Sequence, residues 1–356
     1  MRFKHVWLAL ALIAASFRPA LADQPETIRI AAIGIYAGGQ LQLSGIDSVI
    51  ESQGWLKSEL AKHGVKFEWY PVSNAAVGPL VNEGFASHAI QFASYGDLPA
   101  IIINGSAEKT TTELLASGSP RDAYLTVPAN SDAKSIEDLK GKRLAIHRGR
   151  PWELPLLHLL DSKGLSYSDF QIYNINPDAG AAAVASGAVD GLFTITAYPL
   201  EEKGVAKIIW STKNAPVSWK MGMGFWGAKD FIEKYPELTQ IVVTAYVKAA
   251  YWASQDENRD AVIKLETLNG TSEKAARLTY DDPSISWRQR WSPLFSEATK
   301  EHYKDTIAYA ADKKIIRRGF DAADLFNDSF TRTAVKALNL ESYWASPTQA
   351  GLAPSQ

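Results

Sequence analysis

From Ile28 onward, short apolar runs of strand length alternate with stretches of helical period, and this alternation restricts the fold more than any other feature. Residues 28–33, 67–72 and 88–93 read as strands, with a further helix and strand carrying the chain to residue 115; 34–39 reads as a loop, 94–97 as a turn. Residues 124–127, 143–146, 170–173 and 191–194 repeat the pattern. Two segments echo each other: Glu83 to His88 and Ser186 to Asp190 each lead from a helix into a strand. Between the two sets, Ala116-Ser117-Gly118-Ser119-Pro120 breaks both periods and marks a crossing. Residues 219–226 read as a strand returning to the first set, followed by helices at 230–254, 260–269, 272–278 and 293–313. The expected fold is therefore α/β with two lobes and a cleft between them. One lobe holds 23–116 and 220–345, the other 117–219, and 346–356 is a flexible tail. In open α/β sheets ligands sit at the carboxyl ends of the strands.

The chain has 356 residues, 46% of them hydrophobic, which is enough for two cores. Arg2, Lys4 and His5 precede an apolar run at 6–17 and the small-residue site Ala20-Leu21-Ala22, the pattern of an export signal cleaved before Asp23. Cleavage would remove Arg2, Lys4 and Arg18 and no acid, leaving the chain more acidic than its full-length formal charge of −2. Such a balance does not attract nucleic acid. With no cysteine, disulfides, thiolate metal sites, a cysteine nucleophile and a lipidated N-terminal cysteine are all excluded. An exported chain without a lipid anchor points to the periplasm of a double-membraned bacterium.

The stretch Arg143 to Glu153 carries the chemistry. It reads as a strand, a tight loop at Gly149 and a helix opening at Trp152, with Pro151 in its first turn. Arg148 and Arg150 add forked donors to the positive end of that helix, so the loop reads as a site for sulfonate, phosphate or carboxylate oxygens. The alternative is two solvated arginines. Other motifs carry less. Gly222-Met223-Gly224-Phe225-Trp226-Gly227 has dinucleotide-fingerprint spacing but lies in a strand and holds bulky side chains. His63, His88, His147, His158 and His302 have no metal spacing, and no serine sits in a nucleophile elbow. Trp287-Arg288-Gln289-Arg290-Trp291 either lines an anionic aromatic site or covers a core edge. No catalytic constellation, metal site or cofactor site emerges.

The order of Phe92 to Pro99, the Ile136 to Ala145 segment with its Asp-Leu-Lys-Gly-Lys core, Gly187-Ala188-Val189-Asp190-Gly191 and Ala228 to Glu237 resembles periplasmic substrate-binding proteins of ABC importers. The branch is that of the aliphatic sulfonate, taurine and nitrate binders, and the likeness covers nearly the whole chain after residue 22. It implies the two-lobed type II fold and a monomer that binds a small organic anion, hands it to an inner-membrane permease and has no enzymatic activity. The implied ligand residues are Gly38 and Gly39 in the first loop, Ser94, Tyr95 and Asp97 after the third strand, and Arg148, Gly149, Arg150 and Trp152 in the second lobe. Thr196 and Tyr198 stand where relatives often have Trp-x-Pro, and Trp219 precedes the return strand. Relatives keep small hydroxyl residues where this chain has Arg148, Arg150 and Trp152. The return strand offers Met221 and Met223 and no carboxylate for an ammonium. These departures favour an alkyl or aryl sulfonate or a sulfate ester over taurine. Another anion, a thiamin-precursor pyrimidine, or an enzyme like the cysteine-bearing pyrimidine synthases are the competing readings.

Overall fold

The computed structural model describes residues 24–268, 270–281 and 285–344. The export signal and the tail at 346–356 lie outside the described residues. Among the described residues eleven strands form two mixed sheets. The first holds β1 (Thr27–Ala37), β2 (Gln40–Leu43), β3 (Lys66–Val72), β4 (Phe92–Gly96), β5 (Thr112–Ser117) and β11 (Met223–Ala228). The second holds β6 (Tyr124–Pro128), β7 (Arg143–Ile146), β8 (Gln171–Asn174), β9 (Gly191–Thr194) and β10 (Ala206–Ser211) in the order β10-β6-β9-β7-β8. β1 pairs parallel with β3 and β4, while β11 lies antiparallel between β4 and β5. The two sheets belong to two lobes.

Residues 34–37, expected as loop, are strand. Gly38 and Gly39 both have positive φ, 58° and 76°, the backbone that a two-residue hairpin between right-twisted strands requires. The hairpin pairs Gly34–Ala37 with Gln40–Leu43 and lengthens β1. The third strand also runs later than its apolar pattern indicates, from Phe92 to Gly96, so Ser94 and Tyr95 are strand residues and not a turn. In the second lobe the helix begins at Glu153, with Pro151 and Trp152 in a turn before it. The stretch 230–254 is two helices, Lys229–Lys234 and Pro236–Ser254, because proline lacks the N–H that would continue the first.

The chain passes between lobes twice. The two passages are themselves paired: Arg121 and Met221 exchange backbone hydrogen bonds at 3.3 and 3.1 Å, and Gly118 N–H donates to Met223 O at 2.8 Å. Such a two-stranded connection is a natural hinge. The C-terminal helices complete the core of the first lobe, where Val243, Val247, Ile307 and Val335 bury alongside Ile30, Phe92 and Trp226. The second lobe has its own core around Leu125, Leu144, Ile146 and Phe193.

The lobes touch. His158 stacks on Tyr309 with centroids 4.2 Å apart, and beside them Tyr309 OH donates to Asp161 Oδ2 at 2.6 Å. At the other end of the helix Glu153–Ser162, Pro151 packs so closely on Gly96 that a Cβ there would lie 2.1 Å from Pro151 Cγ.

Candidate ligand-binding cleft

A cleft of about 470 Å³ lies between the lobes, within the range of small-molecule sites. Its walls come from β1, the loop before the helix Val77–Ala86, the hinge, the loop after β7 and the helix Glu273–Tyr280. Most of the lining is apolar or aromatic, with Ile33, Ile35, Val77, Trp152, Ile195, Met221 and Met223 contributing.

Five charged residues also line it, Arg121, Asp122, Asp178, Glu266 and Arg150, and Arg150 stands apart from the rest. Its side chain is 1% exposed and crosses from the second lobe, where Nη2 donates to the Asn74 carbonyl of the first at 2.8 Å. Nε and Nη1 are buried without any partner among the described residues. Burial alone brings the guanidinium down to about 10, with no carboxylate offsetting it. Nη1 lies 3.2 Å from where a Cβ on Gly78 would stand, in the first turn of the helix Val77–Ala86, whose N-terminus has no side-chain cap. A cation facing the positive end of a helix is a mismatch that an anion between them turns into two attractions. The Trp152 ring lies 5.0 Å from the guanidinium and forms an apolar wall beside it.

Arg148 does something else. Nε donates to Glu153 Oε1 at 3.0 Å, and its guanidinium lies 5.2 Å from the Tyr167 ring centroid, outside the cleft lining. Glu153 is buried and also accepts from the Gly149 N–H and, at 3.0 Å, from Tyr167 OH. One acid thus fixes the loop's shape, neutralises Arg148 and leaves Arg150 alone.

A smaller pocket of about 70 Å³ adjoins the cleft, with Arg121 on the wall of both. There Asp47, 3% exposed, accepts from Ser94 Oγ at 2.8 Å. Burial pushes its carboxyl up to about 7, the Ser94 hydrogen bond opposing and the Glu266 charge adding. A carboxyl raised in the folded state binds its proton more tightly there than in the unfolded chain. Its contribution to stability is therefore greatest at low pH and falls as pH rises from about 4 to about 7. Asp47→Asn is expected to stabilise the protein at pH 8 by about 2–4 kcal/mol and to leave it nearly unchanged at pH 4. Chemical denaturation at the two pH values checks this.

The comparisons with known proteins agree on the kind of molecule. A crystal structure from Methylobacillus flagellatus KT, provisionally named a sulfonate ABC transporter's periplasmic sulfonate-binding protein, is 48% identical with a TM-score of 0.79, covering 90% of this chain and 97% of that one. The chain belongs to the NMT1/THI5-like family of periplasmic binding proteins. The family model itself, described as NMT1/THI5 like, matches residues 120–259. A provisionally named aliphatic sulfonates-binding protein of Bacillus subtilis is 23% identical over 293 residues, 81% of this chain and 84% of the relative. The desulfurization enzyme DszB shares the fold, with a TM-score of 0.68 at 17% identity over 88% of this chain and 99% of that one. Among the described residues no helix is long and apolar enough to cross a membrane, and no group of acidic, histidine or cysteine residues could hold a metal.

In this binding protein the cleft brings together Tyr95, Arg150, Trp152 and Thr196 of the residues singled out in the sequence. Ser94 lines the smaller pocket instead. Asp97 is buried behind the cleft, where its Oδ1 accepts from the Leu98 N–H and its Oδ2 from the hinge N–H of Gly222 at 2.7 Å and pairs with His302 Nε2 at 2.8 Å. Gly38 and Gly39 form the hairpin tip; Gly149 is in the loop held by Glu153; Tyr198 packs edge-on against Tyr124. Trp219 stacks on His158, away from the cleft. In the Trp287 to Trp291 segment, Arg290 Nη1 donates to the Pro120 carbonyl at 3.2 Å, Trp287 Nε1 to the Ala253 carbonyl, and Trp291 stacks on Tyr280. Sequence reasoning missed Asn74, Gly78, Arg121 and Glu266. The one local signal was Gly78-Pro79 at a helix start, a small residue where another chain approaches.

Proposed function

We propose that this chain is the periplasmic solute-binding component of an ABC importer, and that its lobes close on an organic sulfonate or sulfate ester carrying an alkyl or aryl tail. The observation that carries this is Arg150: a buried cation with two nitrogens unpaired among the described residues, beside an uncapped helix N-terminus, in a cleft that Trp152, Ile195, Met221 and Met223 also line. A tetrahedral head with three oxygens sharing one negative charge takes hydrogen bonds from Arg150 and from the first turn of the helix Val77–Ala86 together. A flat carboxylate has one oxygen fewer to divide between them. The tail then lies against Trp152, Met221 and Met223. The names of the relatives support the sulfonate and the importer, and the apolar walls support the tail. Binding without turnover is part of the proposal: the chain lacks cysteine, His158 is stacked between aromatic rings, and His302 is engaged with Asp97.

Native mass spectrometry of the protein purified from its own host tests the reading. A retained ligand with the isotope pattern of sulfur and a negative charge is expected. A retained ligand without sulfur would overturn it.

A further inference from the structure

The smaller pocket shares Ile33, Ser44, Arg121 and Met223 with the main cleft, so the two adjoin. Its polar groups are a mixed set. Asp47 presents a carboxyl that uses one oxygen on Ser94; Arg121 donates through Nη2 to Tyr280 OH at 3.1 Å; and Trp291, also on the wall, is buried with its indole N–H unpartnered. Glu266, on the wall of the main cleft, accepts from the Gly45 N–H, and its charge helps hold Arg121 in its cationic form. The apolar remainder comes from Ile46, Met223 and Ala250.

We propose that this pocket is a second subsite that takes a hydroxyl group on the tail of the ligand, so that the preferred ligands are hydroxyalkanesulfonates and not plain alkanesulfonates. The proposal rests on the sulfonate reading of the main cleft. An ammonium in the pocket would face Arg121, and a second carboxylate would face Asp47. A methyl terminus would leave the Trp291 N–H unmet and add no hydrogen bond to Arg121 or Asp47. A hydroxyl is the smallest uncharged group that accepts from a guanidinium and donates to a carboxyl at once. The pocket's volume of about 70 Å³ holds such a terminus and little more.

The test compares, by calorimetry, straight-chain alkanesulfonates of increasing length with the same chains bearing a terminal hydroxyl. At one length the hydroxyl form should bind at least about tenfold more tightly than its parent. Ala250→Leu fills the pocket without touching its polar groups, and Asp47→Ala removes the carboxyl. In both variants the plain and hydroxylated compounds should bind within about twofold of each other. If Ala250→Leu does not fold, Asp47→Ala alone decides. Plain and hydroxylated compounds binding equally to the natural protein at every length would overturn the subsite, as would a hydroxyl preference that persists in Asp47→Ala. If no compound of either series binds, the sulfonate reading itself has failed.

Discussion

Replacing Arg150 with methionine is expected to weaken ligand binding by about tenfold to a hundredfold while making the unliganded protein more stable. The two effects have one origin. A hydrogen bond to a charged group contributes about 1.5–3 kcal/mol to binding, and a thioether side chain supplies none. In the free protein the guanidinium is desolvated, and its fall to about 10 from the ordinary arginine range reflects what burial costs the charged form. For a base with a depressed value that penalty is fully present below the folded value, hence at neutral pH, and is relieved only as pH rises above about 10 towards the ordinary arginine range. Methionine fills the space without the charge, and the lost bond to the Asn74 carbonyl offsets part of the gain. A net stabilisation of about 1–3 kcal/mol follows. Thermal melts with and without ligand read both quantities. Loss of stability together with affinity would mark Arg150 as a structural latch. Arg148→Met serves as the contrast: it leaves Glu153 buried without its cation and should lower stability.

Gly96→Val should hold the lobes apart. The three heavy atoms nearest to a Cβ at this position all belong to Pro151, at 2.1, 3.1 and 3.5 Å, and Pro151 sits in the other lobe. Overlap of this size is not absorbed by a side-chain adjustment, because proline's ring is rigid and the strand carrying Gly96 is paired along its length with β11. The hinge is free to absorb it. Each lobe should therefore fold normally, while the closed arrangement that brings Arg150 to the helix Val77–Ala86 is lost. Small-angle scattering should show the same extended envelope with and without ligand, and affinity should fall by about a hundredfold or more. This follows because a ligand binds only as well as the competent state is populated. A variant that compacts on ligand addition as the natural protein does would contradict this account of closure.

The two-sheet plan was legible because buried parallel strands are short continuous apolar runs, and Gly191–Thr194 coincides with its pattern residue for residue. Strands with partly exposed faces were harder to see. Ala206–Ser211 is an edge strand with four half-buried residues, and Gln40–Leu43 is recognisable only once its hairpin turn is known. The site was legible as a loop but not residue by residue. Arg148 and Arg150 are equivalent in composition, and Glu153 decides between them by turning inward to accept from one. Ser94 and Asp97 lie close along the chain to Tyr95, yet strand alternation and the helix start send them to different surroundings. Arg121, Glu266 and Asp47 come from three separate elements, and only tertiary packing makes them neighbours.

The central claim is that the cleft selects an organic sulfonate through Arg150. Calorimetric titration of the purified protein with an alkanesulfonate, an arylsulfonate, the carboxylate of matching length and nitrate tests it most directly. One site per chain is expected, with a sulfonate bound at least about tenfold more tightly than its carboxylate counterpart and that preference lost in Arg150→Met. Tighter binding of nitrate or of the carboxylate, or a sulfonate affinity unchanged by removing Arg150, would contradict it.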